Sequence, residues 1–137
     1  MGRIGVQMVL NNHNDYDDRE MYRREMRLAI EAEEMGYDTI WPVEHHFYDY
    51  SMCPDNLQFL SFVAARTEKL RLATAAIIVP WNNPMRIVEK VTLLDHLSEG
   101  RTVLGLGRGL SQREYRGFGI DMSEARDRFN EGAGIIV

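Results

Sequence analysis

Residues 36–47 read GYDTIWPVEHHF, and this stretch combines the end of a helix, a short strand and a polar cluster. The glycine at its start suits the left-handed conformation that ends many helices, because it has no Cβ. Residues 39–43 are β-branched, aromatic or apolar, which predicts a buried strand. Glu44, His45 and His46 follow at once. Because α/β proteins place ligand-binding side chains at strand ends, these three residues are the first candidates for a functional site.

Length and composition indicate one globular domain covering residues 1–137, with 45% hydrophobic and 27% charged residues. The net charge of -5 and the pI of about 5.4 provide no basic surface for a nucleic acid or an anionic membrane, so we expect neither partner. No apolar run is long enough to span a bilayer, and the N-terminus lacks the features of a signal peptide. Cys53 is the only cysteine, which excludes an internal disulfide and fits a reducing compartment. We therefore expect a cytoplasmic protein.

The sequence predicts four strands separated by helices. The strands are predicted at residues 3–10, 38–43, 71–79 and 101–107, and the helices at 18–35, 55–70, 84–99 and 121–137. Asn83 is a predicted N-cap, followed by Pro84 at the first helical position. Asp121 and Glu124 resemble a capping box at the start of the last helix. Residues 108–119 are predicted to form a glycine-rich loop.

The predicted strands begin 34, 33 and 31 residues apart, and every connection contains a helix. Eight such βα units would make the ~250 residues of a (β/α)₈ barrel, so this chain would supply about half of one. An open doubly wound sheet is the alternative for four strands. However, the first strand is not followed by a glycine-rich phosphate loop, and the glycines at 105, 107 and 109 have the wrong spacing for a dinucleotide site.

The Glu44, His45 and His46 cluster is open to two interpretations. It is either a catalytic group or a hydrogen-bonded strand end with no chemistry. If the strand continues to His46, only one of the two imidazoles can face the ligand-binding edge, because neighbouring residues on a strand point to opposite sides. With no HExxH motif and no cysteine partner, the sequence gives no support for a zinc site. His96 is predicted to be a surface or capping histidine on the third helix.

Basic and aromatic side chains near the strand ends are also ambiguous. Arg108 and Arg126 could bind a phosphate or carboxylate through their planar guanidinium groups, or could be ordinary surface arginines. Five aromatic residues could line a ligand-binding mouth or simply pack in the core and loops: Trp41, Phe47, Tyr48, Tyr50 and Trp81.

Several motifs together resemble the luciferase-like flavin monooxygenases. They are GYDTIWPVEHHF, TAAIIVP, the turn at Pro84, LLDHLSEGR, GLGRGL and YRGFGIDM, in the family's order and near its spacing, from about Gly36 to at least Arg126. The resemblance implies a TIM (β/α)₈ barrel, of which residues 1–137 would be the N-terminal half. It also implies reduced FMN, or a deazaflavin, bound at the C-terminal mouth. The monooxygenase branch of this family uses oxygen to make a flavin hydroperoxide.

The resemblance also assigns roles to individual residues. His45 matches the family's catalytic histidine after the second strand, with Glu44 and His46 as its neighbours. Other motif positions match residues that contact the flavin: Ala75 and Ala76 against the ring, where the family has a cis peptide bond, and Arg108 and Arg126 near the flavin and its phosphate. Gly107 departs from bacterial luciferase, which has a reactive cysteine there, so the resemblance does not extend to light emission or to the luciferase substrate.

The resemblance implies a small organic substrate and oxygen as reactants, with a flavin reductase as a candidate partner. The family's fifth to eighth strands are absent, so we expect either a homo-oligomer or the remainder of a longer chain to complete the barrel. Two alternatives stay open. One is a deazaflavin-dependent oxidoreductase that transfers hydride on the same fold, and the other is a non-catalytic fragment or subunit.

Overall fold

The computed structural model describes residues 2–137, in which parallel strands alternate with helices. The strands are β1 (Gly5–Met8), β2 (Thr39–Pro42), β3 (Arg71–Ala73), β4 (Ile77–Ile78), β5 (Thr102–Val103) and β6 (Leu106–Gly107). The helices are α1 (Asp18–Glu34), α2 (Asn56–Ala64), α3 (Pro84–Leu97), α4 (Gln112–Gly117) and α5 (Ala125–Ile136). Short 3₁₀ helices cover Val79–Trp81 and Met122–Glu124. Within residues 2–137, no helix combines the length and apolar character needed to cross a membrane.

The main sheet has four parallel strands in the order β1-β2-β3-β5. Val6 pairs with Ile40, Ile40 with Leu72, and Leu72 with Thr102, so the four strands are aligned in register near their N-terminal ends. This confirms the sequential order predicted for a barrel, because a doubly wound sheet would place a later strand beside β1. Strands β4 and β6 pair beyond β3 and β5 as a second, two-stranded sheet.

The third and fourth strands are interrupted, so the predictions of continuous strands at 71–79 and 101–107 were wrong. The Thr74 hydroxyl donates to the Gly105 carbonyl and accepts from the Gly105 amide, both at 2.9 Å, which joins the two interruptions. The Ala75-Ala76 peptide bond is cis, as the resemblance implied. Apolar residues on both sides of the break gave no local signal of it.

Helix starts follow the predicted caps more closely than helix ends do. Asp55 accepts from the amide of Gln58 to cap α2, and Asn83 caps α3. The second helix ends at Ala64, so the predicted extension to residue 70 was wrong. The predicted loop at 108–119 contains α4. The last helix starts only at Ala125, without the predicted capping box.

The Asp121 and Glu124 side chains explain why that capping box does not form. The Asp121 carboxylate accepts from the amide and hydroxyl of Ser123, both at 2.8 Å. Glu124 instead pairs with Arg128 one turn further along, at 2.7 Å. Residues 122–124 therefore form a 3₁₀ turn before the α-helix begins.

The core lies between the sheet and the helices. Ile40 and Leu72 at the sheet centre are fully buried against residues of α2 such as Leu60 and Val63. Burying side chains of this size stabilises a fold by roughly 1.5–3 kcal/mol each. The resulting layer fixes the ends of the strands, where the candidate site lies.

Candidate active site

The candidate site lies where the parallel strands end. Glu44, His45 and His46 follow β2, and Arg108 follows β6, so both groups come at the carboxyl ends of their strands. The backbone after β2 is held by neighbouring segments. The amide of Val43 donates to the carbonyl of Met8, and the amide of His45 donates to the carbonyl of Cys53, both at 3.1 Å.

Glu44 is a buried carboxylate whose two oxygens are both occupied. Its Oε2 accepts from the amide of Ile78 at 3.0 Å. Its Oε1 accepts from Trp81 Nε1 at 2.8 Å and from Asn82 Nδ2 at 3.3 Å, and it lies 3.1 Å from His46 Nε2. This carboxylate therefore ties the end of β2 to β4 and to the 3₁₀ helix that follows.

His45 bridges a buried carboxylate and an exposed hydroxyl. Its Nδ1 lies 3.0 Å from Oε1 of Glu114, which is only 2% exposed, and the same oxygen accepts from the amide of His46 at 2.8 Å. On the other side of the ring, Nε2 lies 3.2 Å from the hydroxyl of Tyr50, a residue that is 44% exposed. Both nitrogens of this imidazole thus have a hydrogen-bonding partner.

The His46 ring faces a different environment, as expected for adjacent residues at a strand end. It packs edge-on against Phe118 at 4.7 Å and Trp81 at 5.8 Å between ring centroids, and Phe47 lies 6.0 Å away. Phe118 in turn stacks on Trp81 at 5.2 Å. These rings form an aromatic cluster on one side of His46.

Small residues form a strip beside these side chains. Ala75, Ala76 and Gly107 are all partly exposed. A Cβ on Gly107 would lie 3.1 Å from the Cβ of Ala76 and 2.9 Å from Cδ1 of Ile78, so the two strand ends are in close contact. The buried amide of Asn56 donates to the Ala76 carbonyl at 3.2 Å and fixes this backbone.

The two predicted arginines lie in different settings. Arg108 is partly exposed directly after Gly107, and its carbonyl accepts a hydrogen bond from the Tyr115 hydroxyl. Arg126 is exposed in the first turn of α5 and has no hydrogen bond to the histidine cluster within the part of the chain described. The structure therefore brings together the predicted residues at 44–46, 75–76 and 107–108, but it gives no contact that joins Arg126 to them.

A family model for luciferase-like monooxygenases matches residues 3–136, nearly the whole chain. The chain belongs to the luciferase-like monooxygenase family. Among curated relatives, the alkanal monooxygenase alpha chain of the Kryptophanaron alfredi symbiont is 37% identical over 114 residues, which cover 83% of this chain and 32% of that protein. This member of the family thus spans about a third of the length of the curated relatives it matches.

Solved structures place the chain on part of a TIM barrel. RslO1, a monooxygenase from Streptomyces bottropensis, superposes with a TM-score of 0.93 at 32% identity, over 98% of this chain and 42% of RslO1. Two further structures have much lower sequence identity and therefore support the fold assignment only. They are the oxygenating constituent of 3,6-diketocamphane monooxygenase from Pseudomonas putida with FMN (TM-score 0.91, 20% identity, 98% and 39% coverage) and an F420-dependent secondary alcohol dehydrogenase (0.78, 19%, 98% and 40%).

Sequence reasoning missed Glu114, which the structure places against His45. A signal for its helix was present, since Ser111 and Glu114 have the S-x-x-E spacing of a capping box. Ser111 does cap α4, with its hydroxyl accepting from the amide of Glu114 at 3.3 Å. The Glu114 carboxylate, however, does not complete the capping box. It contacts the His45 ring and the backbone amide of His46 instead. The Asn56 amide was also missed, and its position directly after a helix cap gave no hint of the Ala76 contact.

Among residues 2–137, no group of three or more histidine, cysteine, aspartate or glutamate side chains is arranged to hold a metal ion. Cys53 is buried within the loop that follows β2. Burial raises the pKa of its thiol to about 12, and the nearby carboxylates of Asp55 and Glu44 act in the same direction. A thiol in this state is a poor nucleophile at neutral pH.

Proposed function

We propose that this luciferase-like chain forms the catalytic half of a flavin-dependent monooxygenase. The enzyme would use reduced FMN and molecular oxygen to oxidise a small organic substrate. One observation carries the proposal: the His45 imidazole is held between Glu114 and Tyr50 at the same strand ends as the strip formed by Ala76 and Gly107. A positioned base beside a flat binding surface is the arrangement that flavin chemistry requires.

The residues present fit a flavin. Ala75, Ala76 and Gly107 would lie against the ring, because small side chains allow close approach to a planar group. The guanidinium groups of Arg108 and Arg126 would neutralise the phosphate, a role for which their planar forks are suited. Reduced FMN, when bound, supplies the two electrons that activate oxygen.

His45 would move a proton at Nε2 during the reaction. Histidine is the side chain that most often acts as a general acid or base near neutral pH. Glu44 and His46 would hold the backbone on either side of His45 in place. The Glu44 carboxylate accepts from the amide of Ile78 in β4, and the His46 ring packs against Phe118 and Trp81. In the complete barrel, this aromatic side of the site would limit the access of water.

An isotope experiment tests the proposed reaction. The complete barrel, supplied with reduced FMN by a flavin reductase, is incubated with ¹⁸O₂ and a panel of small carbonyl compounds that begins with an alkanal, the substrate in the relative's name. We expect one ¹⁸O atom in an oxidised product. Reduced FMN that is consumed without ¹⁸O entering any product would contradict the proposal.

Replacing the catalytic imidazole tests its role. We expect His45→Ala to lower the rate of the oxygenation roughly 10²-fold, the lower range of general acid-base effects. His96→Ala is the matched control, because His96 is exposed in the last turn of α3 and belongs to no part of the site. Equal rates for both variants would leave the Glu44, His45 and His46 cluster with a structural role only.

A deazaflavin-dependent hydride transfer is the second candidate function. The superposition on an F420-dependent dehydrogenase favours it, because that protein has the same fold. Anaerobic turnover with a reduced deazaflavin separates the two candidates, since hydride transfer needs no oxygen. A non-catalytic subunit is the third outcome, and neither assay would then show turnover in the complete barrel.

A further inference from the structure

Three side chains from separate segments form a continuous hydrogen-bonded row through His45. Glu114 comes from α4, His45 from the end of β2, and Tyr50 from the loop that follows. The distances are 3.0 Å from Glu114 Oε1 to His45 Nδ1 and 3.2 Å from His45 Nε2 to the Tyr50 hydroxyl. The row runs from a buried carboxylate to an exposed hydroxyl.

The buried end of the row determines where the hydrogen atom lies. Oε1 of Glu114 already accepts from the amide of His46 at 2.8 Å, so it acts as an acceptor. An ionised carboxylate has no hydrogen to donate. With Glu114 ionised, Nδ1 of His45 carries the hydrogen in this contact. A neutral imidazole has one protonated nitrogen, which leaves Nε2 with a free lone pair.

The exposed end of the row agrees with this assignment. Nε2 without a hydrogen needs a donor, and the Tyr50 hydroxyl is the group within reach. Burial raises the pKa of Tyr50, and the negative charge of Glu114 raises it further. The hydroxyl is thus protonated at neutral pH and can donate to Nε2.

We propose that Glu114 is a positioning residue that holds His45 in the tautomer with hydrogen on Nδ1 and directs the Nε2 lone pair toward the exposed Tyr50. The catalytic part of this inference rests on the proposed function. When a bound reactant displaces the Tyr50 hydroxyl and gives a proton to Nε2, Nδ1 keeps its own hydrogen. The resulting imidazolium lies against the Glu114 carboxylate, and the proton later leaves from Nε2 to the product or to water.

Nitrogen NMR on the ¹⁵N-labelled 137-residue chain tests the tautomer directly. Long-range proton-nitrogen correlations distinguish protonated from unprotonated ring nitrogens, and His45→Asn assigns the signals. In the neutral form of the ring, we expect Nδ1 of His45 at the protonated position and Nε2 at the unprotonated position. The opposite pattern, with hydrogen on Nε2, would overturn the proposal. This measurement on the original chain needs no Glu114 variant.

Two replacements of Glu114 separate its acceptor oxygen from its charge. Glu114→Gln keeps an oxygen for Nδ1 and for the His46 amide, so the tautomer should be retained. Glu114→Met keeps the length but removes the acceptor, so hydrogen should redistribute to Nε2. Glu124→Gln is the control, since Glu124 is exposed and pairs with Arg128 on α5. An unchanged tautomer in Glu114→Met would also overturn the proposal.

Kinetics in the complete barrel distinguish this inference from the proposed function. We expect Glu114→Met to lower kcat roughly 10²-fold with the KM for reduced flavin unchanged, and Glu114→Gln to recover part of that loss. A full rate in Glu114→Met would contradict the positioning role. If the tautomer is as expected but no ¹⁸O is incorporated, the assignment of Glu114 stands and the oxygenase proposal fails.

Discussion

Gly105 shows how a single residue without a side chain shapes the strand ends. A Cβ at this position would lie 2.2 Å from the carbonyl oxygen of Thr74, which is far inside van der Waals contact. The same two residues exchange hydrogen bonds that join the interruptions in the third and fourth strands. The positions of Ala76 and Gly107 depend on the contact between Thr74 and Gly105, because each lies two residues after one of these residues.

Gly105→Ala should therefore destabilise the fold. We expect the free energy of unfolding to fall by about 2 kcal/mol or more, since the backbone of Thr74 must move to make room. Gly134→Ala is the control, because a Cβ there meets nothing within 4 Å and alanine favours the helix by roughly 0.5–1 kcal/mol. Denaturant unfolding at one fixed protein concentration compares the two, and equal stabilities would refute this explanation.

At the residue scale, the sequence predicted the position of His45 at the end of a strand but not its hydrogen-bonding partners. The position of His45 follows from a local pattern, a buried strand that ends in polar residues. Glu114 lies 69 residues away in sequence and its contact depends on how α4 packs. Local patterns show that S-x-x-E starts a helix, but they do not show which way the glutamate side chain turns.

At the scale of elements, Glu33 fixes the turn that precedes β3. Its carboxylate accepts from the amides of Glu68, Lys69 and Leu70 at 2.6–3.1 Å. Partial burial would raise the pKa of Glu33, but these amides and the positive charge of Arg101 outweigh it and lower the pKa. The turn ends the second helix early, since its backbone donors are used by a side chain of α1.

This contact should make stability depend on pH. A carboxylate with a lowered pKa stabilises the folded state above its unfolded pKa, and that contribution is lost as the pH falls through the folded value. We expect the original chain to be more stable than Glu33→Gln at pH 7. The difference should shrink as the pH falls below the ordinary value of 4.5.

Unfolding midpoints at a series of pH values measure this difference. Glu34→Gln is the matched control, because Glu34 is the exposed neighbour at the end of α1 and has no part in the turn. A stability difference between the original chain and Glu33→Gln that does not change with pH would contradict the role of the charged group.

Element ends were predictable where the signal is local and not where it comes from a distant residue. The Asn83 cap lies within three residues of the amides it binds and was predicted correctly, and the second helix begins near Asp55, as predicted. The end of α2 was misplaced because the turn at 67–70 is held by Glu33, which lies 35–37 residues earlier. The break near Ala75 likewise depends on pairing with the next strand.

At the scale of the whole molecule, strand spacing predicted a parallel sheet of βα units. Starts at intervals of 31–34 residues with a helix in each connection agree with the order β1-β2-β3-β5 that the structure has. Right-handed crossovers are common to barrels and doubly wound sheets, so the barrel order was favoured by the family resemblance and by the missing phosphate loop. The substrate pocket did not follow from the sequence, because its opposite wall would come from strands that this chain does not supply.

The edges of the half barrel should promote association. In residues 2–137, β1 and β5 each pair on one side only within the main sheet, and Leu104 is 37% exposed between β5 and β6. Unpaired edges and uncovered apolar faces recruit other chains. We expect the purified chain to show concentration-dependent association in sedimentation experiments and stability that rises with concentration.

Charged replacements test which surface of the chain mediates the association. Leu104→Lys should weaken the association, because it places a charge on the proposed contact face. Met35→Lys should not, since Met35 is exposed at the end of α1. A monomer with cooperative unfolding at every concentration would refute the expectation.

The central claim is that the strip beside His45 binds reduced flavin, and anaerobic calorimetric titration with reduced FMN tests it most directly. We predict weak but saturable binding to the 137-residue chain, because only half of the site is present. Ala76→Leu should abolish this binding by filling the strip, whereas Ala65→Leu, an exposed position at the end of α2, should leave it unchanged. Failure to saturate at any attainable concentration, or equal affinity in Ala76→Leu, would contradict the claim.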